Sequence, residues 1–319
     1  MTQQSAIEPP PPTGTQLQRL LAMVEVQPPL RTAVVHPVDV LSLSGAVEAA
    51  RRALIDPILI GPVSRIRAAA GSAGLDIAGL ELIDVEHSHA AAARACELAS
   101  KGEAAAIMKG ALHTDELMQA AVASTSGLRT DRRMSHVFVL DVPSYPRPLL
   151  VSDAALNIAP DLAVKRDIVQ NAIDCAQAMD IPEPKVAILC AVETVNAKMV
   201  STLDAASLSK MADRGQIVGG RIDGPLAFDN AISVEAAEAK GIESPVAGQA
   251  DILIVPDIES GNMLAKQLHY LSDAQSAGIV MGARAPIILT SRSDPEESRL
   301  ASCALAILVS QHRPSKSLR

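Results

Sequence analysis

Aromatic residues are nearly absent from this chain of 319 residues, which contains no Trp, two Tyr and two Phe. Proteins that bind single-stranded nucleic acid stack the bases on aromatic faces, so this composition excludes such a surface. The formal charge of −8 argues against any general polyanion partner, because a phosphate backbone requires clustered Lys and Arg. We therefore expect no nucleic-acid partner, whereas a single phosphate needs only one or two arginines.

Long apolar runs and paired cysteines are also missing. No run approaches the roughly 20 apolar residues that cross a bilayer, and the N-terminus has no basic-then-apolar signal pattern. The four cysteines are scattered without CxxC spacing, which indicates reduced thiols and no metal site. These absences predict a cytoplasmic protein with no membrane partner.

Small and branched aliphatic residues dominate what is present. Hydrophobic residues make up 48% of the chain, which suits buried parallel strands covered by Ala-rich helices. Residues 1–14 include four consecutive prolines and are predicted to be disordered. After them, short aliphatic runs alternate with longer helical segments, which predicts an α/β protein with a mainly parallel sheet. The predicted strands cover 32–35, 57–60, 82–85, 104–108, 136–140, 149–151, 186–189, 251–255 and 286–289, and the clearest helices cover 46–54, 89–98, 162–179 and 260–271.

Polar or turn residues directly follow several predicted strands. They are His36-Pro37, Gly61-Pro62, Lys109-Gly110, Ser152-Asp153, Pro256-Asp257 and Ser291-Arg292. Ligands of open α/β sheets bind at the carboxyl ends of strands, so these pairs predict a common cleft. For any one of them, simple strand termination is the better explanation.

The segment from Lys109 to Thr114, with the sequence KGALHT, lies at a predicted strand-to-helix turn. Gly110 lets the backbone approach a ligand closely, and the following helix presents free N–H groups to an anion. Lys109 adds positive charge, and Thr114 caps the helix or binds an oxyanion. The GxxxxGK[ST] spacing of a Walker A loop is absent. A capped helix with a surface His113 is the alternative interpretation.

A basic cluster precedes the strand at 136–140. The five-residue segment 129–133 contains three arginines, Arg129, Arg132 and Arg133, although the chain as a whole is acidic. An arginine side chain matches the geometry of phosphate with two parallel hydrogen bonds. A solvated loop is the alternative for each arginine.

The last predicted strand delivers Ser291 and Arg292 to a loop. Ser291 could exchange a proton and Arg292 could hold a phosphate, but Asp294-Pro295 as a cap and first-turn proline also explains the segment. Neither GxSxG nor GxGxxG occurs, so a Ser–His–Asp hydrolase and a Rossmann dinucleotide site are unsupported.

In their order along the chain, these motifs resemble the phosphate acetyl/butyryltransferase family over residues 30–312. The matching stretches are KGALHT at 109–114, DGPLAFD at 223–229, SPVAG at 244–248, VPD at 255–257, Gly261-Asn262 and Ser291-Arg292. The resemblance implies an enzyme that converts a short-chain acyl-CoA and phosphate into acyl phosphate and CoA, the acyl group being acetyl or butyryl. CoA is then a substrate, and no tightly bound cofactor or metal is expected.

The resemblance also implies a fold and an assembly. The expected fold is like that of isocitrate and isopropylmalate dehydrogenases, with two α/β domains and a cleft between them. Here the first domain would cover 15–142 plus 287–319, and the second 143–286. The family resemblance further implies a homodimer.

Site residues are carried over by position. Ser291 resembles the family serine that contacts the CoA sulfur or the reacting carbonyl, and Arg292 resembles its neighbour that holds phosphate or CoA. The acetyl branch places an aspartate, as base for the CoA thiol, seven residues after the serine. This sequence has Ser298 there, and the adjacent Glu297 is the candidate base. The predicted substrate-binding residues are Lys109, His113, Thr114, Arg132, Arg133 (the favoured member of that pair), Asp229, Asp257 and Asn262.

Two other functions stay open from the sequence. A metal- and NAD-dependent decarboxylating dehydrogenase on the same fold would use Asp223, Asp229 and Asp257 around a divalent cation. A catalytically inactive protein that binds CoA or acyl phosphate would explain the missing aspartate. Acyl-chain length, the identity of the base, the oligomeric state and the direction of the reaction are not determined by the sequence.

Overall fold

The computed structural model describes residues 15–290 and 294–312. Its helices are α1 (Thr15–Met23), α2 (Val40–Arg51), α3 (Val63–Ala73), α4 (Ser88–Ser100), α5 (Thr114–Val122), α6 (Leu162–Ala178), α7 (Val200–Asp213), α8 (Phe228–Ile232), α9 (Val234–Ala239), α10 (Ile258–Leu271) and α11 (Glu296–Gln311). Its strands are β1 (Leu30–Val35), β2 (Ile55–Gly61), β3 (Glu81–Asp84), β4 (Ala106–Lys109), β5 (Ser135–Asp141), β6 (Leu149–Ser152), β7 (Lys185–Leu189), β8 (Arg221–Leu226), β9 (Ile252–Ile254), β10 (Gln275–Met281) and β11 (Ile287–Ile288).

These strands of the described chain form one 11-stranded mixed sheet in the order β3-β2-β1-β4-β11-β10-β5-β6-β9-β7-β8. Strand β10 runs antiparallel to both β11 and β5, and β5 runs antiparallel to β6. The other neighbouring pairs are parallel. Strands β1 to β5 and β11 therefore point one way, and β6 to β10 point the other way.

The two faces of the sheet are covered differently. On one face, a single apolar cluster runs from α1 and α2 through α11 and α6 to α7. On the other face, α4 and α5 cover the first strands, and a separate cluster under α8, α9 and α10 covers the second half. The Ala-rich helices α4 and α11 pack closely on the sheet because their side chains are short. A groove is left between the two clusters of the second face.

The predicted isocitrate/isopropylmalate dehydrogenase-like fold is wrong. The prediction of a mainly parallel sheet is confirmed, since seven of the ten neighbouring strand pairs in the described chain are parallel. The strands β8 and β10 were not predicted. A Gly-Pro pair such as Gly224-Pro225 is typical of a turn, but β8 lies at the edge of the sheet, where proline is tolerated. The antiparallel strand β10 supplies the hydrogen bonds that join β11 to β5, and it makes the sheet continuous and mixed. The domain bounds stay a prediction.

Candidate active site

A cavity of about 380 Å³ opens in the groove between α5 and α10. Its floor is apolar and comes from Phe138 and Leu140 of β5 together with Leu289, which follows β11. Residues two apart in a strand face the same side of the sheet, which explains why both β5 side chains point into the cavity. Helices on both sides supply its polar walls.

One wall is the loop from β4 into α5, which is held against the end of β1. The Ala111 N–H donates to the carbonyl oxygen of His36 at 3.0 Å, and the Nδ1 atom of His36 lies 3.1 Å from the Ala111 carbonyl oxygen. A Cβ atom on Gly110 would lie 2.2 Å from the carbonyl oxygen of Val35, so only glycine allows this approach. The loop thereby places Lys109 on the cavity wall.

The helix that follows starts at the cavity. His113 is the N-cap of α5 and makes no side-chain cap hydrogen bond, and Thr114 is the first helical residue, so Thr114 is not the cap. Both residues line the cavity together with Lys109. The first N–H groups of a helix and its dipole favour an anion at this end.

The opposite wall is one side of α10. Asn262, Lys266 and His269 line the cavity, and their spacing of three and four residues puts them on one face of the helix. Asp257 precedes this helix, and its carboxylate accepts hydrogen bonds from the Ser260 N–H and hydroxyl, both at 2.8 Å. Asp257 is thus a helix cap. Sequence reasoning missed Lys266 and His269, although their spacing from Asn262 was a usable signal.

The segment before α11 contributes a carboxylate. Asp294 lines the cavity, and α11 begins at Glu296 with Pro295 as its N-cap. Glu297 is exposed in the first turn, where the Gln275 side-chain amide donates to it at 3.4 Å. Ser298 is fully buried. The predicted pair Ser291 and Arg292 lies outside the described residues.

The charges around the cavity are mainly positive, although the chain carries a formal charge of −8. Lys109 and Lys266 lie on opposite walls, His113 and His269 add imidazoles, and Asp294 is the carboxylate of the lining. This arrangement suits a ligand that carries phosphate groups.

The basic cluster lies at a second cavity of about 390 Å³, formed between the segment before β5 and the start of α6. Arg132 forms an ion pair with Asp174, a carboxylate that is only 5% exposed. Burial raises the pKa of Asp174, and the Arg132 guanidinium opposes this shift. The Arg133 Nε–H donates to the Asn157 side-chain oxygen at 3.2 Å.

The predicted site residues thus fall into three groups. Lys109, His113, Thr114 and Asn262 come together at the first cavity, and Arg132 and Arg133 come together at the second. Asp229, Asp257 and Glu297 line neither cavity. Asp229 is exposed and lies 3.5 Å from the Lys240 ammonium.

The cysteines contribute no nucleophile to either cavity. Burial raises the pKa of the Cys175 and Cys303 thiols to about 12 and that of Cys96 to about 11. All four cysteines are buried free thiols, and protonated thiols are poor nucleophiles. Across residues 15–290 and 294–312, no group of three or more His, Cys, Asp or Glu side chains is placed to hold a metal ion. No helix in those ranges is long and apolar enough to span a membrane.

Comparison with known proteins gives a consistent result. Residues 88–307 match the family model described as phosphate acetyl/butaryl transferase. A phosphate acetyltransferase of Rhizobium meliloti is 57% identical over 303 residues, which cover 95% of this chain and 96% of the relative. A phosphate butyryltransferase of Clostridium acetobutylicum is 43% identical over 283 residues, covering 89% and 94%.

Solved structures show the same relationship and correct the predicted fold. A branched-chain phosphotransacylase from Enterococcus faecalis V583 matches with a TM-score of 0.77 and 30% identity over 89% of this chain and 100% of that one. A 4-hydroxythreonine-4-phosphate dehydrogenase from Klebsiella pneumoniae matches with a TM-score of 0.52 and 15% identity, over 88% and 100% of the chains. The architecture is therefore that of phosphotransacylases, and the predicted isocitrate/isopropylmalate dehydrogenase-like fold is replaced by it.

Proposed function

Because this chain belongs to the phosphate acetyl/butyryltransferase family, we propose that its cavity between α5 and α10 is the site where a short acyl group passes between CoA and phosphate. The chain is an acyltransferase, and acyl-CoA and phosphate are the substrates of its family. The observation that carries the assignment of the site is the meeting of Lys109, Lys266 and the α5 N-terminus around one cavity. These groups suit the phosphates of both substrates.

The reaction places two demands on the site. The thiol of CoA loses its proton before its sulfur bonds to the acyl carbon of acyl phosphate, and the bond from that carbon to the phosphate oxygen then breaks. A carboxylate near the sulfur takes the proton, because thiols have pKa values near 8.5. Negative charge grows on the carbonyl oxygen in between, and cationic or N–H donors stabilise it.

Among the described residues near the start of α11, Asp294 and Glu297 are the candidate carboxylates. We favour Asp294 because it lines the cavity, whereas Glu297 is exposed outside it. Ser291 and Arg292 stay proposed as the pair next to the reacting carbonyl. Of the two arginines at the second cavity, Arg133 stays the proposed phosphate-binding residue, since the Arg132 side chain is paired with Asp174. There it would bind phosphate outside the cavity proposed for the transfer.

We propose acetyl as the acyl group. The relatives named phosphate acetyltransferase reach 57% identity over nearly the whole chain. Those named phosphate butyryltransferase reach 42–43% over about nine tenths of it, and a probable one reaches 50% over 64% of it. The dehydrogenase alternative has weaker support, because a likeness at 15% identity concerns the fold alone.

The test is an assay of acetyl-CoA thioester loss by the purified full chain, with and without phosphate. We expect phosphate-dependent loss, and we expect Lys109→Ala to lower kcat/KM about 10²-fold, as for other charge-stabilising donors. Lys101→Ala is the matched control, because Lys101 is exposed and paired with Glu97 away from the cavity. No phosphate-dependent loss, together with NAD reduction in the presence of a divalent metal and a malate-type acid, would establish the dehydrogenase instead.

The same assay separates the two carboxylates. We expect Asp294→Asn to lower kcat by about 10²-fold or more, the usual contribution of a general base. The kcat of Glu297→Gln should stay within about twofold of that of the parent enzyme. A loss in Glu297→Gln alone would assign the base to Glu297.

Two further assignments are proposals of the same kind. We propose a homodimer, which sedimentation equilibrium would measure directly. We also propose the cytoplasm as the compartment, supported by four cysteines that are all buried as free thiols, since oxidising compartments favour disulfides.

A further inference from the structure

We infer that Phe138 is the end wall of the acyl pocket and restricts this enzyme to the shortest acyl groups. The inference rests on the proposed function, because it assigns a specificity role inside the cavity proposed as the active site. It concerns the apolar floor of that cavity, which the phosphate-binding groups do not use.

The floor is placed for an acyl chain. Leu289 lies beside Phe138 and Leu140 in the cavity lining, and the chain reaches Ser291 two residues after it. By the proposed function the acyl group lies in this cavity, so we expect its alkyl part to contact the apolar floor. The cationic walls on α5 and α10 are unsuited to an alkyl chain, because burying charged groups against methylenes costs free energy.

The ring of Phe138 packs against the ring of His136, which lies two residues earlier in β5. The two rings meet edge to face with their centroids 4.3 Å apart, a favourable geometry for aromatic pairs. His136 is completely buried, and burial lowers the pKa of its imidazole, so the ring packs in its neutral form. Its Nε2 atom lies 3.4 Å from the carbonyl oxygen of Leu289, which follows β11, so the ring is held from beyond the adjacent strand β10.

A glycine of the adjacent strand β10 leaves room for the His136 ring that packs on Phe138. Gly278 pairs with Phe138 across the two strands. A Cβ atom on Gly278 would lie 2.5 Å from the Leu289 carbonyl oxygen and 2.9 Å from the His136 Nε2 atom. Because the His136 ring is confined between Phe138 and β10, we expect Phe138 to keep its position, and shortening its side chain is the direct way to lengthen the pocket.

The experiment compares kcat/KM for acetyl-, propionyl- and butyryl-CoA with phosphate in the parent enzyme and in Phe138→Ala and Phe138→Leu. One methylene in an apolar pocket changes discrimination by about tenfold or more. We expect the butyryl-to-acetyl ratio to rise at least about tenfold in Phe138→Ala and by a smaller factor in Phe138→Leu.

Phe228→Leu is the matched control, because Phe228 is the other phenylalanine of the chain. Phe228 packs against the apolar cluster under α8, α9 and α10 and does not line the cavity. Its butyryl-to-acetyl ratio should equal that of the parent. An unchanged ratio in active Phe138 variants would overturn the inference. If thermal melting shows that Phe138→Ala does not fold, Phe138→Leu decides by the same criterion. A parent enzyme with no activity on any of the three thioesters would refute the proposed function itself.

Discussion

Adjacent residues of this chain have different surroundings, as Arg132 and Arg133 illustrate. The Arg132 side chain is 24% exposed and pairs with Asp174, which is 5% exposed. The Arg133 side chain donates to Asn157 and lies on the surface. The ion pair leaves Arg133 as the arginine available to a ligand. It also makes the stability of the fold depend on Arg132.

We expect Arg132→Ala to lower the free energy of unfolding at pH 7 by about 3 kcal/mol, because it leaves the Asp174 carboxylate buried and unpaired. Burial already raises the pKa of Asp174 in the folded chain, and loss of the guanidinium raises it further. As the pH falls through that raised value, the folded chain binds a proton that the unfolded chain does not yet bind. The difference in free energy of unfolding between Arg132→Ala and the parent should therefore shrink between pH 7 and pH ~4. This range lies above the pKa of Asp174 in the unfolded chain.

Urea unfolding at several pH values measures this effect. Arg166→Ala is the control, since Arg166 is 44% exposed and pairs with Asp167 near the surface. It should cost at most about 1 kcal/mol at every pH. A deficit of Arg132→Ala that is independent of pH would show that Asp174 is not the group responsible.

At the scale of elements, the β4–α5 connection is built by close backbone contact with β1. The turn passes so near Val35 that a Cβ atom on Gly110 would lie 2.2 Å from a carbonyl oxygen, which is backbone and cannot rotate away. The carbonyl oxygen of His36 accepts a hydrogen bond from the Ala111 N–H of the same turn, and His36 has a positive φ of 55°. The position of Lys109 thus depends on the packing of two strand ends.

We expect Gly110→Ala to destabilise the protein by about 1–3 kcal/mol, as overpacking does, and to lower kcat/KM because Lys109 is displaced. Gly71→Ala is the control, because Gly71 lies in α3 and a Cβ atom there meets no neighbour within 4 Å. Alanine should stabilise that helix by about 0.5–1 kcal/mol. Thermal melts followed by circular dichroism test both variants, and a neutral Gly110→Ala would show that the strand ends are not tightly packed.

At the scale of the whole molecule, the sheet and one apolar cluster cross the proposed domain boundary. We propose the division into 15–142 plus 287–319 and 143–286 as a description of the two halves around the groove. Strand β10 belongs to the second range but pairs with β11 of the first. The cluster that contains Leu17 and Leu305 also contains Ile173 and Ile252.

We therefore expect the two halves to unfold together. Scanning calorimetry should give one transition, with a calorimetric enthalpy close to the van 't Hoff enthalpy, because a shared core couples the halves. Two resolved transitions would show that the halves are independent domains and that the shared cluster contributes little coupling.

Local patterns predicted much of the chain but not its pairing. The strand at 136–140 and the helix at 162–179 follow from aliphatic runs and from helical periodicity, and β5 and α6 lie there. Strand β10 was missed because its Gly278 and small residues weaken the strand pattern, although Gly278 is needed where the His136 ring and the Leu289 carbonyl oxygen occupy the space. Asp294 was interpreted as a cap, a role that local sequence favours equally.

The sequence by itself determined the α/β alternation, the family and the KGALHT turn, because periodicity and short motifs depend on neighbours in the chain. Tertiary structure alone decided that Lys109 and Asn262 share a cavity while Arg133 lies at another, because this depends on the directions of strands far apart in sequence. It also decided that Phe138 is part of the cavity floor. Side chains from β5, α5 and α10 meet only after the antiparallel strand β10 joins the two halves of the sheet.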